Sequence, residues 1–431
     1  MSKKRNNPET IAIHGGDYRS DPATNAVAVP IYRTTSYQFN STEHAANLFA
    51  LKEFGNIYSR LGNPTVGALE ARLTALEDGA MSVALSSGTS AVMYSLINIM
   101  SQGDNFVTAN QLYGGTYTMF DNILPEYGID SKKVDITDLT AVENAIDEKT
   151  RAIYCETITN PGLVVADISG LGEIAKSKGI PLIVDATFTT SAICKPFDFG
   201  ADIVVYSLTK WMSGHGRVIA GAVIEKGGFN WGNGNFPLYD KPDTSYGGMR
   251  WGHDLGDLSN VAYSLRLRTV PLRNLGASMS PETAFEVMSG LETLSLRMDR
   301  HCENAIKAAE YLSNHELVEW VRFPGLKDDP AYDLSEKYLK GTGGTMVVFG
   351  IKGGKDSGQK FINNLKMFRH VANVGDTRSL AIHPASTTHS QLDDEQLIAA
   401  GSPAELVRLS IGIEDIDDII EDLSQALEST K

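Results

Sequence analysis

The chain has 431 residues, 42% hydrophobic and 21% charged, ordinary values for a globular protein of two or three domains. A net charge of −15 argues against nucleic acid as the main partner, because phosphate backbones need a basic face. Three cysteines without metal spacing, no long apolar run and a basic start with no apolar stretch behind it predict a cytoplasmic protein without membrane span, metal site or signal peptide.

Residues 1–63 are irregular, with Gly15-Gly16, Pro22 and Pro30, and read as an arm. From 64 the pattern changes. Ala68–Leu76 predicts a helix with Leu69, Leu73 and Leu76 on one face. The apolar run Ser82–Leu85 leads into Ser86-Ser87-Gly88-Thr89-Ser90 and then an apolar helix to Met100. Candidate strands Phe106–Ala109, Ala152–Glu156, Leu182–Asp185, Ile203–Tyr206 and Ile219–Ile224 follow, with helices that include Leu139–Glu148 and Leu171–Lys178 between them. This alternation predicts an α/β fold whose large sheet is mostly parallel. Residues 227–256, rich in Gly, Asn, Trp, Pro and Tyr, predict a long structured loop of the kind that often carries function. Pro281 behind Ser280 opens a long helix. Beyond it, strands Val318–Phe323 and Thr345–Gly350 and a last helix from about Asp415 to Leu427 predict a smaller α+β domain. The expected division is an arm over 1–63, a large domain over 64–285 and a small C-terminal domain over 286–431.

The chemistry gathers at Lys210. Tyr206-Ser207-Leu208-Thr209-Lys210 follows a buried-type strand, a position that suits an amine forming a Schiff base with a carbonyl. Ser207 and Thr209 offer hydroxyls to a phosphate, and Gly214 and Gly216 allow a bulky ligand to come close. A lone Thr-Lys after a strand is usually a solvated surface pair. Ser207-x-x-Lys210 also matches the serine–lysine pair of penicillin-recognising enzymes, but their Ser-Asp-Asn and Lys-Thr-Gly elements are missing. Other segments shift the balance. The amides after Ser86-Ser87 can cradle a phosphate. Asp185 ends a strand at the crevice where α/β proteins bind ligands, and can keep a pyridinium nitrogen protonated or simply cap a turn. Tyr113 can stack on a planar ring or pack ordinarily. Tyr58 and Arg60 combine an aromatic with a guanidinium suited to phosphate, in what is otherwise a solvated turn.

In order along the chain, these segments resemble the Cys/Met-metabolism family of pyridoxal-phosphate enzymes, from about residue 8 to the C-terminus. The markers are Ala28–Ser36, Tyr58–Thr65, Glu156–Pro161, Asp185–Phe188 and the lysine segment. The resemblance implies an aspartate-aminotransferase-like (fold type I) architecture and pyridoxal 5'-phosphate as cofactor. It implies that Lys210 carries the cofactor as a Schiff base and moves protons, that Asp185 pairs with the pyridine nitrogen, and that Tyr113 stacks on the ring and acts as acid or base. Gly88, Thr89, Ser207 and Thr209 then hold the phosphate. Tyr58 and Arg60 reach it from the neighbouring subunit of a dimer, usually doubled to a homotetramer. Asn160, Ser379 and Arg408 face the substrate's α-carboxylate. One departure is Ala186, where many relatives carry Asn; Ala cannot hydrogen-bond near the ring.

Within the family, three features resemble the O-acetylhomoserine sulfhydrylases. They are the 227–256 insertion, Ser289 where cystathionine-type relatives usually carry Arg, and the stretch His370–His389 followed by Gly412–Asp415. That resemblance implies γ-replacement of acetate on O-acetyl-L-homoserine by sulfide or methanethiol. Methionine γ-lyase and cystathionine γ-synthase or γ-lyase chemistry on the same scaffold are the alternatives, and a silent binding protein is a remote one. O-succinyl and O-phospho leaving groups, and dimer against tetramer, stay open at this level.

Overall fold

The computed structural model describes residues 7–16, 18, 20–388, 390, 391, 393, 395, 397 and 401–431. The basic start of the chain and His389, the last residue of the stretch compared with the sulfhydrylases, lie outside the described residues. Seven strands form the large sheet: β1 (Met81–Leu85), β2 (Asn105–Ala109), β3 (Asp130–Val134), β4 (Thr150–Glu156), β5 (Leu182–Asp185), β6 (Ile203–Ser207) and β7 (Gly221–Glu225). Their order is β1-β7-β6-β5-β4-β2-β3. Only β7 runs against its neighbours, so the sheet is mostly parallel as expected. β2, β5, β6 and β7 are buried nearly throughout, which is why each reads as an apolar run. β3, Asp130-Ser131-Lys132-Lys133-Val134, has no such run. It is a half-exposed edge strand pairing only with β2, and its lysines keep that edge charged.

Helix Pro64–Glu77 starts earlier than its leucine face suggested, because Asn63 caps it through the Thr65 amide and Pro64 fits the first turn. Leu69, Leu73 and Leu76 are buried under β1 as the periodicity implied. Helix Leu139–Ala145 stops short of the expected Glu148. Asp147 instead accepts the Lys149 amide and the Asn105 side chain, which draws the chain out of the helix. The helix opened by Ser280 and Pro281 is two: Pro281–Leu291 and Leu294–Ser313.

The second sheet has the order β10-β11-β12-β9-β8, from β8 (Val318–Arg322), β9 (Met346–Ile351), β10 (Arg369–His370), β11 (Leu380–Ile382) and β12 (Leu406–Ser410). Helix Leu294–Ser313 serves both cores: Leu294, Met298 and Cys302 pack in the first, Ala305, Ala308, Ala309 and Leu312 in the second. β9 does the same by alternation, with Met346 and Val348 on one side and Val347, Phe349 and Ile351 on the other. The small sheet is thereby fixed against the large one.

Residues 227–256 are structured, as expected, and pack around an aromatic cluster. Trp231 stacks on Tyr239 and Tyr263 at ring separations of 5.0 and 5.1 Å, and its Nε1 donates to Glu225 Oε1. None of these residues reaches the main cavity. Among the described residues no helix is long and apolar enough to cross a membrane.

Candidate active site

The loops that leave the C-terminal ends of β1, β2, β4, β5 and β6 converge on one cavity of about 1370 Å³. This is where open α/β sheets bind ligands. It brings Gly88, Thr89, Tyr113, Asn160, Asp185, Ser207, Thr209, Lys210 and Arg408 together.

The phosphate end is built from close approaches. Helix Gly88–Ile97 follows β1, and Ser87 caps it by accepting the Ser90 amide at 3.0 Å. The amides of Gly88 and Thr89 belong to the first turn, which has no intrahelical acceptors, and the helix dipole adds positive potential there. A Cβ on Gly88 would lie 2.5 Å from Ser207 Cβ, so only glycine lets this helix end sit against the end of β6. The Ser207 amide donates to Thr187 Oγ1 at 2.8 Å. Thr209 Oγ1 donates to the Ala220 carbonyl at 3.2 Å and accepts the Ala220 amide at 3.0 Å. Its hydroxyl therefore ties the lysine turn to the strand beside it and has only a lone pair left for a ligand.

Lys210 is half-buried, and its amine meets the Asn373 side-chain oxygen. Burial, with Arg408 nearby, lowers it to about 8, which makes a neutral amine accessible near neutral pH. Asp185 accepts the Thr187 amide at 2.9 Å and the Tyr154 hydroxyl at 3.3 Å. Burial holds its carboxyl above the usual range, and those donors oppose the rise. A cation placed against it would restore the carboxylate. Ala186 is fully buried, with its amide on Val205 O, while the next residue, Thr187, donates its amide to Asp185 and accepts the Ser207 amide.

Gly214 and Gly216 make room for protein rather than ligand. A Cβ on Gly214 would collide with the Arg297 guanidinium, and one on Gly216 with the Asp376 carboxylate. Arg297 donates to the carbonyls of Trp211 and Gly290 at 2.7 Å each and so braces the turn behind Lys210. Nothing in the sequence singled Arg297 out.

The far wall comes from the second sheet. Arg408, on β12, donates to Asn160 Oδ1 at 2.9 Å and to the Asn373 carbonyl at 3.4 Å. Ser379 is not with them: it is fully buried and off the cavity. Its hydroxyl donates to Glu414 Oε2 at 2.9 Å and accepts the Gly412 amide, so it braces β12 from behind. The residue that lines the wall is Asn373, whose polar side chain between Ala372 and Val374 was the available signal. Tyr58 and Arg60 are also away from this chain's own cavity. Tyr58 bridges to Ser36, and the Arg60 guanidinium lies over its ring at 5.1 Å.

The donor set suits a phosphorylated pyridine aldehyde: an amine for the carbonyl, an acid for the ring nitrogen, and helix amides for the phosphate. Comparison with known proteins agrees. Residues 9–428 match the family model of Cys/Met metabolism PLP-dependent enzymes. The chain belongs to that family. An O-acetyl-L-homoserine sulfhydrylase of Leptospira meyeri is 47% identical, over 98% of this chain and 97% of its own length. O-acetyl-L-homoserine sulfhydrylase 1 of Thermus thermophilus is 46% identical, over 97% and 99%. Among solved structures, a protein of Campylobacter jejuni named as an O-acetylhomoserine (thiol)-lyase, with a pyridoxyl-lysine monophosphate residue, superposes with a TM-score of 0.93. It is 40% identical and covers 98% of this chain and 100% of its own. As a family member the chain is a pyridoxal-phosphate-dependent enzyme, and its fold is that of its structural neighbour.

Proposed function

We propose that the protein replaces the acetate of O-acetyl-L-homoserine with sulfide, releasing L-homocysteine and acetate, or L-methionine when methanethiol is the donor. The observation that carries this is a guanidinium, Arg408, facing the same cavity as Lys210 and Asp185 in a chain so close to the sulfhydrylases. When bound, pyridoxal phosphate supplies an electron sink conjugated to the substrate's Cα.

The chain's own groups then divide the work. Arg408 and Asn160 hold the α-carboxylate, a charge-assisted contact that fixes which face Cα presents. Asp185 keeps the proton on the ring nitrogen. Gly88, Thr89 and Ser207 hold the phosphate, with Thr209 bracing them. Lys210 Nζ would take the Cα proton, hand it on to the bound cofactor and, as a neutral amine again, take a Cβ proton. The Tyr113 hydroxyl donates as acetate leaves Cγ, hydrosulfide bonds to the vacated Cγ, and Lys210 returns the protons.

The active unit is a dimer, doubled to a tetramer, in which the arm lends Tyr58 and Arg60 to the neighbouring cavity. Supporting this, the arm of the single chain exposes Val27, Ile31, Phe49 and Phe54, an apolar surface that a second copy can cover. Three free, buried cysteines suit a reducing cytoplasm.

The test is a product assay on the holoenzyme with O-acetyl-, O-succinyl- and O-phospho-homoserine, each with sulfide, and with methionine alone. Homocysteine plus acetate, formed fastest from the acetyl ester, is the expected result. Methanethiol and a keto acid from methionine, without homocysteine from any ester, would replace this reading with a lyase.

A further inference from the structure

Glu156 ends β4 directly beside Asp185 in the paired register of β4 and β5. It is 6% exposed and lines the cavity, yet none of the steps above uses it. Its Oε1 accepts the Tyr113 amide at 2.8 Å, and a backbone hydrogen bond from Asn160 also reaches its carboxyl. These donors lie on different loops. Tyr113 follows β2 and precedes helix Gly114–Thr118, while Asn160 follows β4 and meets Arg408. One carboxyl thus joins the segment carrying the ring-facing tyrosine to the turn facing the substrate's carboxylate.

We propose that Glu156 is a positioning residue, tying the Tyr113 segment and the Asn160 turn to the strand that lies beside Asp185. The proposal rests on the roles given above to Tyr113 and Asn160. The tie needs an oxygen and not a charge. Burial and the neighbouring Asp185 carboxyl push the Glu156 carboxyl well above its usual range, and a neutral carboxyl still presents a carbonyl oxygen to an N–H. A second negative charge here would also raise the cost of ionising Asp185. Glutamine keeps the oxygen at nearly the same volume; alanine removes it.

The experiment uses two readouts that need no turnover: amide hydrogen exchange at Tyr113 and Asn160 in the apoprotein, and the affinity for pyridoxal phosphate. Glu156→Ala should speed exchange at both amides and weaken cofactor binding, each by about tenfold, the scale of one buried hydrogen bond. Glu156→Gln should stay within about threefold of the wild type on both, since the bond it retains is worth that difference. Should the alanine variant fail to fold, Glu156→Met fills the volume without an oxygen and carries the same expectation. Unchanged exchange at Tyr113, unchanged cofactor affinity in the alanine or methionine variant, or a glutamine variant as impaired as alanine would each overturn the proposal. A wild type that makes no homocysteine, with the alanine–glutamine contrast intact, would overturn the sulfhydrylase reading alone.

Discussion

The two sheets furnish one cavity with different chemistry. The large sheet contributes a lysine, a buried carboxyl and helix amides from the ends of strands that are rigid because they are buried. The small sheet contributes Arg408 from β12 and, from the loop before β11, Asn373. The first set fits an aldehyde, a pyridine nitrogen and a phosphate; the second fits a carboxylate. We propose that cofactor retention falls to the large sheet and amino-acid recognition mainly to the small one, with Asn160 reaching Arg408 from beyond the end of β4, and substitutions should separate the two.

The largest effect is expected from Lys210→Ala. It should abolish turnover and the visible absorbance of the cofactor Schiff base, because attachment and proton transfer are lost together. Normal turnover in that variant would break the comparison outright. Arg408→Ala should keep the cofactor's absorbance and raise the KM for O-acetyl-L-homoserine about a hundredfold, the scale of a charged hydrogen-bonded pair. A variant that instead lost its cofactor would show that the two sheets do not divide the work.

A pH series sharpens the same point. Burial and Arg408 lower Lys210 to about 8, so its neutral amine predominates above that pH and falls about tenfold per unit below it. The rate at which apoprotein condenses with pyridoxal phosphate should follow that profile. In Arg408→Ala the midpoint should move upward, because a cation that disfavours the ammonium has gone. A midpoint that stays put or falls would contradict the coupling across the cavity. The smallest effect on catalysis is expected from Trp231→Ala in the 227–256 cluster. It should cost about 3 kcal/mol in unfolding experiments and leave kcat/KM unchanged in protein that remains folded.

Legibility in the sequence followed burial. β2 and β4 to β7 are visible because strands buried on both faces are apolar runs, whether parallel or, like β7, antiparallel, whereas β3, with two lysines and an aspartate, gives no such run. Gly88, Asp185 and Lys210, at or just beyond strand ends, come together in the cavity; each alone has an ordinary reading, and only their order along the chain, through the family resemblance, points to a shared role. The carboxylate wall was harder. Ser379 and Asn373 are polar residues of one loop region, and only the fold reveals that one turns inward to Glu414 while the other faces the cavity. Gly214 and Gly216 suggest room for a ligand, because a sequence does not show that Arg297, 83 residues beyond Gly214, and Asp376, 160 residues beyond Gly216, fill the space. The 227–256 stretch drew attention by its composition, and its aromatic residues turned out to pack on one another.

The central claim, that Lys210 is where the cofactor is held, can be read directly. Holoenzyme is reduced with borohydride, digested and mapped by mass spectrometry. The account predicts the pyridoxyl phosphate adduct on the peptide containing Lys210, with near-complete occupancy. An adduct on a different lysine, with Lys210 unmodified, would contradict it.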